Sequence, residues 1–145
     1  MPLTSSEILS QYANPVPIDK SEHLYSYAIV RKDLEMSPGK LSAQAGHAYD
    51  DAIRAAQTSH PESFAKYRID GEGGSKVTLE AKNEYQLLRA FNEARQAGLP
   101  CAVIVDREHI MPPHFDGSPI ITAVGIGPVT QAEAKFITKR YQCVR

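Results

Sequence analysis

Three short apolar runs, separated by segments with helical character, constrain the fold of this chain more than any other feature. The runs Tyr25–Arg31, Pro100–Asp106 and Ile120–Gly127 are mainly apolar and contain β-branched residues, which is typical of buried strands. Ser75–Lys82 alternates apolar and polar residues and predicts a further strand. Strands that are joined through helices favour parallel pairing. The runs therefore predict a sheet in which several strands run the same way.

The segments between these strands carry helix signals. Ser37 and Pro38 are suited to the N-cap and first position of a helix over about 38–57, and a short helix over 61–69 follows. Capping residues predict two more helices, over about 83–98 and 130–141. Only a loop separates the last two strands, which favours one antiparallel pair, and Pro128 is expected to end the last strand. We predict one α/β domain, a mixed four-stranded sheet covered by helices on both faces.

The chain divides into an arm, residues 1–23, and a domain, residues 24–145. Thr4 and Glu7 form a capping box, so a short helix is expected in the arm, ending at Pro15 and Pro17. No leader segment and no membrane-spanning apolar run is evident, so we expect a cytoplasmic protein. The two cysteines have neither metal-ligand spacing nor the number needed for a disulfide framework.

The overall charge limits how the chain can bind nucleic acid. With 17 acidic and 16 basic residues, the net charge of the 145-residue chain is −1. That value argues against a protein that coats long nucleic acid non-specifically, but it leaves room for a local basic site.

The helix over 38–57 begins with an unfavourable charge. Lys40 lies in its first turn, where a cation opposes the helix macrodipole at a cost of about 0.3–1 kcal/mol. Lys40, Gln44, His47 and Asp51 follow one another at helical spacing and share a face. Because ligands bind at the carboxyl ends of strands in open α/β sheets, this helix start predicts an anion site. The alternative is a solvated polar face with a satisfied histidine.

Small residues in the same helix suggest that it lies close to the sheet. Gly46 lowers helix propensity by about 1 kcal/mol relative to alanine, and close approach to the sheet would explain it. The sequence "SPGK" invites comparison with a phosphate-binding P-loop. Leu34 and Leu41 stand where that motif requires Gly and Ser or Thr, so a nucleoside-triphosphatase is excluded.

Asp106 is a second candidate for the same site. It follows the apolar run "AVIV" and therefore lies where the sheet meets solvent. If the first and third strands are near neighbours, Lys40 and Asp106 converge on one rim, and Thr122, early in the last strand, can point a hydroxyl there. The alternative role of Asp106 is to cap the loop that follows.

Three motifs in this order resemble the type II peptidyl-tRNA hydrolases, the archaeal and eukaryotic class. "AIVRKDLEMSPGKLSAQAGHA" is similar to that family's strand, Arg-x-Asp-Leu and Gly-Lys-(x)2-Ala-Gln-(x)2-His-Ala signature. "AGLPCAVIVD" resembles its Gly-Leu-Pro, strand and Asp segment, and "TAVGIGP" resembles its last strand. The resemblance covers Tyr25 to the C-terminus and implies a mixed four-stranded α/β fold that is often dimeric.

The resemblance also implies an activity and its residues. The family cleaves the ester between an N-blocked peptide and the 3′ ribose of tRNA, without cofactor or metal. By match, the residues implicated in activity are Lys40, Gln44, Asp106 and Thr122. His47 matches a histidine of the family and is assigned to substrate binding, with a structural role as the alternative. We expect direct attack by water, with Asp106 orienting or deprotonating it. Contact with tRNA is expected at the 3′ acceptor end, through Lys40, Lys32 and Arg107.

The chain departs from the family pattern near the expected site. Ile110 stands where the family usually has threonine, the loop before the last strand is longer, and the arm 1–23 is additional. Two other functions therefore stay open: a relative that binds tRNA or a protein partner without chemistry, and a small hydrolase for another acyl ester. Dependence of activity on Lys40 and Asp106 separates the enzymes from the binding module.

Overall fold

A mixed five-stranded sheet forms the centre of the structure, a computed structural model that describes residues 1–12, 21–68, 74–107, 110–113 and 115–145. Its strands, with those of a small hairpin, are β1 (Leu24–Arg31), β2 (Ser75–Ala81), β3 (Cys101–Asp106), β4 (Ile110–Met111), β5 (Phe115–Asp116), β6 (Ile120–Thr130) and β7 (Gln142–Cys143). The helices are α1 (Ser5–Leu9), α2 (Pro38–Ser59), α3 (Pro61–Arg68), α4 (Glu84–Gln96) and α5 (Gln131–Thr138).

The strand order in the main sheet is β3-β6-β1-β2-β7. Strand β1 is parallel to β2, whereas β6 is antiparallel to both β1 and β3. Strands β1, β2 and β3 therefore run in the same direction, and their carboxyl ends share one edge of the sheet with the start of β6. The predicted α/β class and mixed sheet are confirmed.

The predicted number of strands is too low. The sheet has a fifth strand, β7, and β4 and β5 form a separate hairpin between β3 and β6. Strand β7 consists of two residues that pair with Leu79 and Glu80 at the edge of the sheet. A run this short carries no periodic signal, and only the partner strand reveals it.

Strand β6 also extends further than predicted. It continues through Pro128 to Thr130, instead of ending at Gly127. Pro128 lies between the pairs Tyr27–Ile126 and Tyr25–Val129, where the register of β1 against β6 shifts. A proline is tolerated at such an irregularity because its missing N–H is not needed for the ladder.

Helices cover both faces of the sheet, as predicted. Ala28 and Val30 of β1 pack with α2, whereas Tyr27 and Ile29 pack with α4 and α5, so alternate residues of the strand serve opposite cores. In the arm, α1 begins at the predicted Thr4–Glu7 capping box. Pro15, Pro17, Ile69 and most of the glycine-rich segment 70–74 lie outside the described residues.

The close approach of α2 to the sheet depends on Gly125 of β6. A Cβ atom at this position would lie 2.0 Å from the carbonyl oxygen of Ala48, so any side chain there would push the helix away. A Cβ at Gly46 would meet nothing within 4 Å, and that residue is exposed. The prediction that Gly46 permits the close approach is therefore wrong, because the small residue that the contact needs belongs to the strand.

Candidate active site

An ion pair lies at the edge where the parallel strands end. Lys40, in the first turn of α2, donates from Nζ to Oδ2 of Asp106, the last residue of β3, over 2.7 Å. The two side chains are 13% and 15% exposed, respectively. Strand β6 lies between β1 and β3, but the chain passes from β1 to α2 at the same edge of the sheet where β3 ends. Lys40 and Asp106 therefore lie together at that edge, as predicted. A cation and a carboxylate are thus in contact at the carboxyl edge of the sheet.

The ion pair explains the charge at the start of α2. The first turn of the helix contains no acidic residue, and Ser37 caps it by accepting a hydrogen bond from the backbone N–H of Lys40. The compensating charge comes from β3, far along the chain. The helix therefore accepts an unfavourable local charge to place an ammonium group beside Asp106.

A buried hydrogen bond lies behind this pair. Thr122 donates from Oγ1 to Oε1 of Gln44, and both side chains are almost fully buried. Gln44 is one turn after Lys40 on α2, so the helix presents both side chains to the sheet. Because its carbonyl oxygen is bound, the amide NH₂ of Gln44 is the part of the side chain left for another partner.

A β-bulge directs Thr122 towards α2. Ile104 of β3 pairs with Ala123, but Val105 pairs with Ile121, so Thr122 is an extra residue in β6. Ala123 packs in the core under α2, whereas Ile121 packs in the core on the opposite face. The bulge therefore turns two successive side chains, Thr122 and Ala123, to the same face, a re-aiming that regular alternation does not allow.

An aromatic ring covers Lys40, and the sequence reasoning missed it. The ring of Phe115, in β5, lies with its centroid 5.0 Å from Nζ of Lys40 and is 3% exposed. The hairpin of β4 and β5 leads into a turn in which Asp116 accepts hydrogen bonds from the hydroxyl and backbone N–H of Ser118. These bonds hold the pKa of Asp116 below its ordinary value. The only advance signal for Phe115 was the length of this loop.

Arg31 and Asp33 frame the neighbouring loop. Arg31 binds both carboxylate oxygens of Asp33 and also donates to the carbonyl oxygen of Ile121 over 3.0 Å. The guanidinium thus ties the end of β1 and its following loop to the start of β6. These residues are the Arg-x-Asp of the first motif, so the signal was present in the sequence, but no role was assigned to them.

The three predicted substrate-binding residues have exposed side chains. The side chain of Lys32 is 68% exposed and its Nζ lies 3.8 Å from Glu80, while Arg107 directly follows Asp106. His47 is exposed on α2, as is Asp51, whereas Gln44 on the same side of the helix is buried. The four residues predicted to share one face of α2 therefore have different surroundings. Lys40 and Gln44 bond to residues of the sheet, whereas His47 and Asp51 are exposed. The binding roles of Lys32, His47 and Arg107 stay predictions.

Neither a metal-binding cluster nor a membrane-spanning helix is found among the described residues. Within the described ranges, no group of three or more His, Cys, Asp or Glu side chains is arranged to hold a metal ion. In the same part of the chain, no helix has the length and apolarity needed to cross a membrane.

Comparisons with known proteins agree with this geometry. Residues 24–144 match the family model described as "Peptidyl-tRNA hydrolase PTH2". A peptidyl-tRNA hydrolase of Methanococcus vannielii is 40% identical over 119 residues, covering 80% of this chain and 96% of the relative. One from Methanocaldococcus jannaschii is 34% identical over 110 residues, covering 76% and 90%. The human relative, "Peptidyl-tRNA hydrolase 2, mitochondrial", is 33% identical over 102 residues, covering 69% of this chain and 54% of its own length.

Proposed function

The chain belongs to the peptidyl-tRNA hydrolase PTH2 family, and on that premise we propose that it hydrolyses the ester bond between an N-blocked aminoacyl or peptidyl group and the 3′ ribose of tRNA. The observation that carries the proposal for the site is the ion pair of Lys40 and Asp106 at the carboxyl edge of the sheet. It supplies a carboxylate that can act as general base and an ammonium group that can stabilise an oxyanion, both of which assist direct attack by water on an ester.

Asp106 is the proposed general base. Lys40 fixes its Oδ2 atom, and within the described residues no side chain or backbone group donates a hydrogen bond to Oδ1. In the proposed step, a water bonded to Oδ1 attacks the ester carbonyl carbon and its proton passes to the carboxylate. The C–O bond to the 3′ oxygen then breaks, and that oxygen takes up the proton to form the ribose hydroxyl. General-base help of this kind gives about 10²- to 10⁴-fold in rate.

Lys40 is the proposed stabiliser of the developing negative charge. Its ammonium group has three N–H donors, of which Asp106 takes one. A second donor, supported by the positive end of the α2 dipole, is suited to the carbonyl oxygen as it becomes an oxyanion. A terminal phosphate of the tRNA is the alternative anion for Lys40. The small exposed fraction of its side chain favours the oxyanion, which enters the site, over a phosphate that stays at the surface.

Gln44 is proposed to position the ester or the water through its amide NH₂. Thr122 is expected to donate a hydrogen bond in the site, and its hydroxyl donates to Oε1 of Gln44. We therefore propose that Thr122 acts by orienting Gln44. The exposed side chains of Lys32, His47 and Arg107 are proposed to bind the acceptor end of the tRNA. A homodimer and a cytoplasmic location, both expected from the sequence, belong to the same proposal.

The direct test is release of N-acetyl-amino acid from charged tRNA by the purified protein. We expect release in proportion to enzyme concentration, and the same tRNA charged with an unblocked amino acid tests the requirement for a blocked amino group. Binding of the charged tRNA without release would favour the non-catalytic alternative. Hydrolysis of a small acyl ester without release from tRNA would favour the small esterase.

A further inference from the structure

We propose that Phe115 is a positioning residue for the reaction, which holds the ammonium group of Lys40 against Asp106. This inference rests on the proposed hydrolysis, since it assigns the residue through Lys40. It concerns a part of the chain, the longer loop between β3 and β6, where the sequence departs from the family pattern.

The ring and the carboxylate confine the ammonium group from two sides. Asp106 bonds to Nζ of Lys40 over 2.7 Å, and the ring centroid of Phe115 lies 5.0 Å from the same nitrogen. A lysine side chain has four rotatable bonds and moves freely when only its tip is bound. With both contacts in place, the remaining N–H donors have a fixed direction, which is the condition for stabilising an oxyanion without reorganisation.

An aromatic ring has an effect here that an aliphatic side chain of similar size does not. Both would exclude water from the ion pair, and that exclusion strengthens the attraction between Lys40 and Asp106. Only the ring face carries the negative quadrupole that attracts a cation. The ring therefore both shields the ammonium group and attracts it, and leucine at position 115 would keep the first effect and lose the second.

The hairpin gives Phe115 a defined position. Phe115 pairs with Met111, and Ile110 pairs with Asp116, across β4 and β5. The turn that follows β5 is held by the hydrogen bonds from Ser118 to Asp116. It also contains Gly117, whose φ of +92° favours glycine. Because β3 ends at Asp106 and the hairpin follows in the same connection, the carboxylate and the ring that hold Lys40 come from one continuous segment.

The first measurement compares Phe115→Leu with Phe115→Tyr. We expect Phe115→Leu to lower kcat roughly 3- to 30-fold, the range that corresponds to a partly desolvated cation–π contact, with KM little changed. Phe115→Tyr keeps the ring and is expected to stay within about threefold of wild type. Phe91→Leu is the matched control, since Phe91 is a partly buried phenylalanine on α4 that packs in the core on the opposite face. Equal losses in the Leu and Tyr variants would overturn the proposal.

A double-mutant cycle tests whether Phe115 acts through Lys40. In a Lys40→Met background the cation is absent, so adding Phe115→Leu is expected to lower kcat by less than about twofold. Independent losses that multiply would mean that Phe115 supports the fold or the substrate in some other way, and would overturn the proposal. Melting temperatures of all variants separate loss of stability from loss of positioning.

A third measurement needs no activity and keeps this proposal apart from the proposed function. In wild-type protein, NMR is expected to show a ring-current shift at the Cε protons of Lys40 that is lost in Phe115→Leu and kept in Phe115→Tyr. If the protein releases nothing from charged tRNA but shows this shift, the proposed hydrolysis fails while the contact stands. If the protein is active but the shift is absent, or kcat is unchanged in Phe115→Leu, Phe115 has no positioning role.

Discussion

Two of the carboxylates that pair with cations, Glu93 and Asp106, differ in how their oxygen atoms are bonded. Glu93 of α4 binds Arg89 through Oε1 over 2.9 Å and Arg140 through Oε2 over 2.8 Å. Asp106 binds Lys40 through Oδ2 over 2.7 Å, and no group in the described ranges donates to its Oδ1. Exposure does not distinguish the two, since both side chains lie between buried and open, at 27% and 15%.

What differs is the use of the second oxygen. Both oxygens of Glu93 are bound by guanidinium groups, so the carboxylate links α4 to the segment after α5 and can accept little more. Asp106 has one oxygen fixed by Lys40, while no described group donates to the other, and it lies at the edge where ligands enter α/β sheets. A saturated carboxylate holds elements together, whereas a half-saturated one can be oriented by its partner and still accept a proton from water.

The largest effect on activity is expected when the carboxylate of Asp106 is replaced by an amide. Asp106→Asn keeps the shape of the side chain and a carbonyl oxygen for Lys40, but removes the base, so kcat/KM should fall by about 10²- to 10⁴-fold while tRNA binding persists. Release of N-acetyl-amino acid and a binding titration measure the two effects. Asp50→Asn is the control, because Asp50 is an exposed carboxylate on α2 that pairs with Arg54. Near-normal turnover in Asp106→Asn would remove Asp106 from the mechanism.

Removal of the cation beside Asp106 should have the next largest effect. Lys40→Met keeps the length of the side chain under Phe115 and is expected to lower kcat/KM more than tenfold, which corresponds to about 1.4 kcal/mol or more. The melting temperature should fall by no more than the loss of one ion pair accounts for, because the change also removes a charge that opposes the α2 dipole. Lys66→Met, which removes a lysine bonded to Glu22 far from the site, is the control. Lost stability with unchanged turnover would assign Lys40 a structural role.

Replacing Glu93, whose two oxygens are both bound, should lower stability and leave activity nearly unchanged. Glu93→Gln is expected to leave kcat/KM within about twofold and to lower the free energy of unfolding by about 0.2–1 kcal/mol per weakened pair. Burial raises the pKa of Glu93, but hydrogen bonds from Arg140 and Arg89 outweigh it and hold the pKa below the ordinary 4.5. The stability difference should therefore be full above about pH 4.5 and disappear as the pH falls through the lowered pKa. Melting curves from pH 7 to pH 3 measure it, and a constant difference would contradict this assignment.

The smallest effect is expected for the exposed cations Lys32 and Arg107, and it concerns the salt dependence of tRNA binding. If Lys40 is reserved for Asp106, phosphate contact is left to the exposed Lys32 and Arg107, and each contact adds about −0.7 to the slope of log K against log salt. We expect a slope of about −1.4 for an acceptor-stem minihelix, reduced to about −0.7 in Lys32→Met. Lys135→Met on α5 should leave the slope unchanged. A slope several times steeper would indicate an extended basic track.

Much of the fold could be predicted because its signals are local. The apolar run at Tyr25–Arg31 and the capping residues Ser37, Asn83 and Thr130 all lie within the elements that they define, and the structure places these elements accordingly. The wrong predictions concern segments whose structure depends on pairing with a distant strand. Strand β7 exists only beside β2, and β6 passes Pro128 because the register against β1 shifts there.

The candidate site shows the same limit. Lys40 and Asp106 could be brought together in advance because both follow from the rule that strand ends share one edge. The different burial of Gln44 and His47 was missed: Gln44 borders the buried stripe of α2 that includes Ala48, whereas His47 lies farther round the helix. Phe115 could not be found either, since its contact with Lys40 crosses from a loop hairpin to a helix, and nothing in the local sequence marks that pairing.

The pairing of Asp106 with Ile120 has a consequence for how this site can change. These two residues are the ends of the connection over 107–119, and the β3–β6 ladder holds them side by side. Residues can be gained or lost between them without moving either strand, because the closure of the loop is already imposed by the sheet. The segment that carries Phe115 can therefore change in length or sequence, while Asp106, the proposed base at its boundary, stays in place.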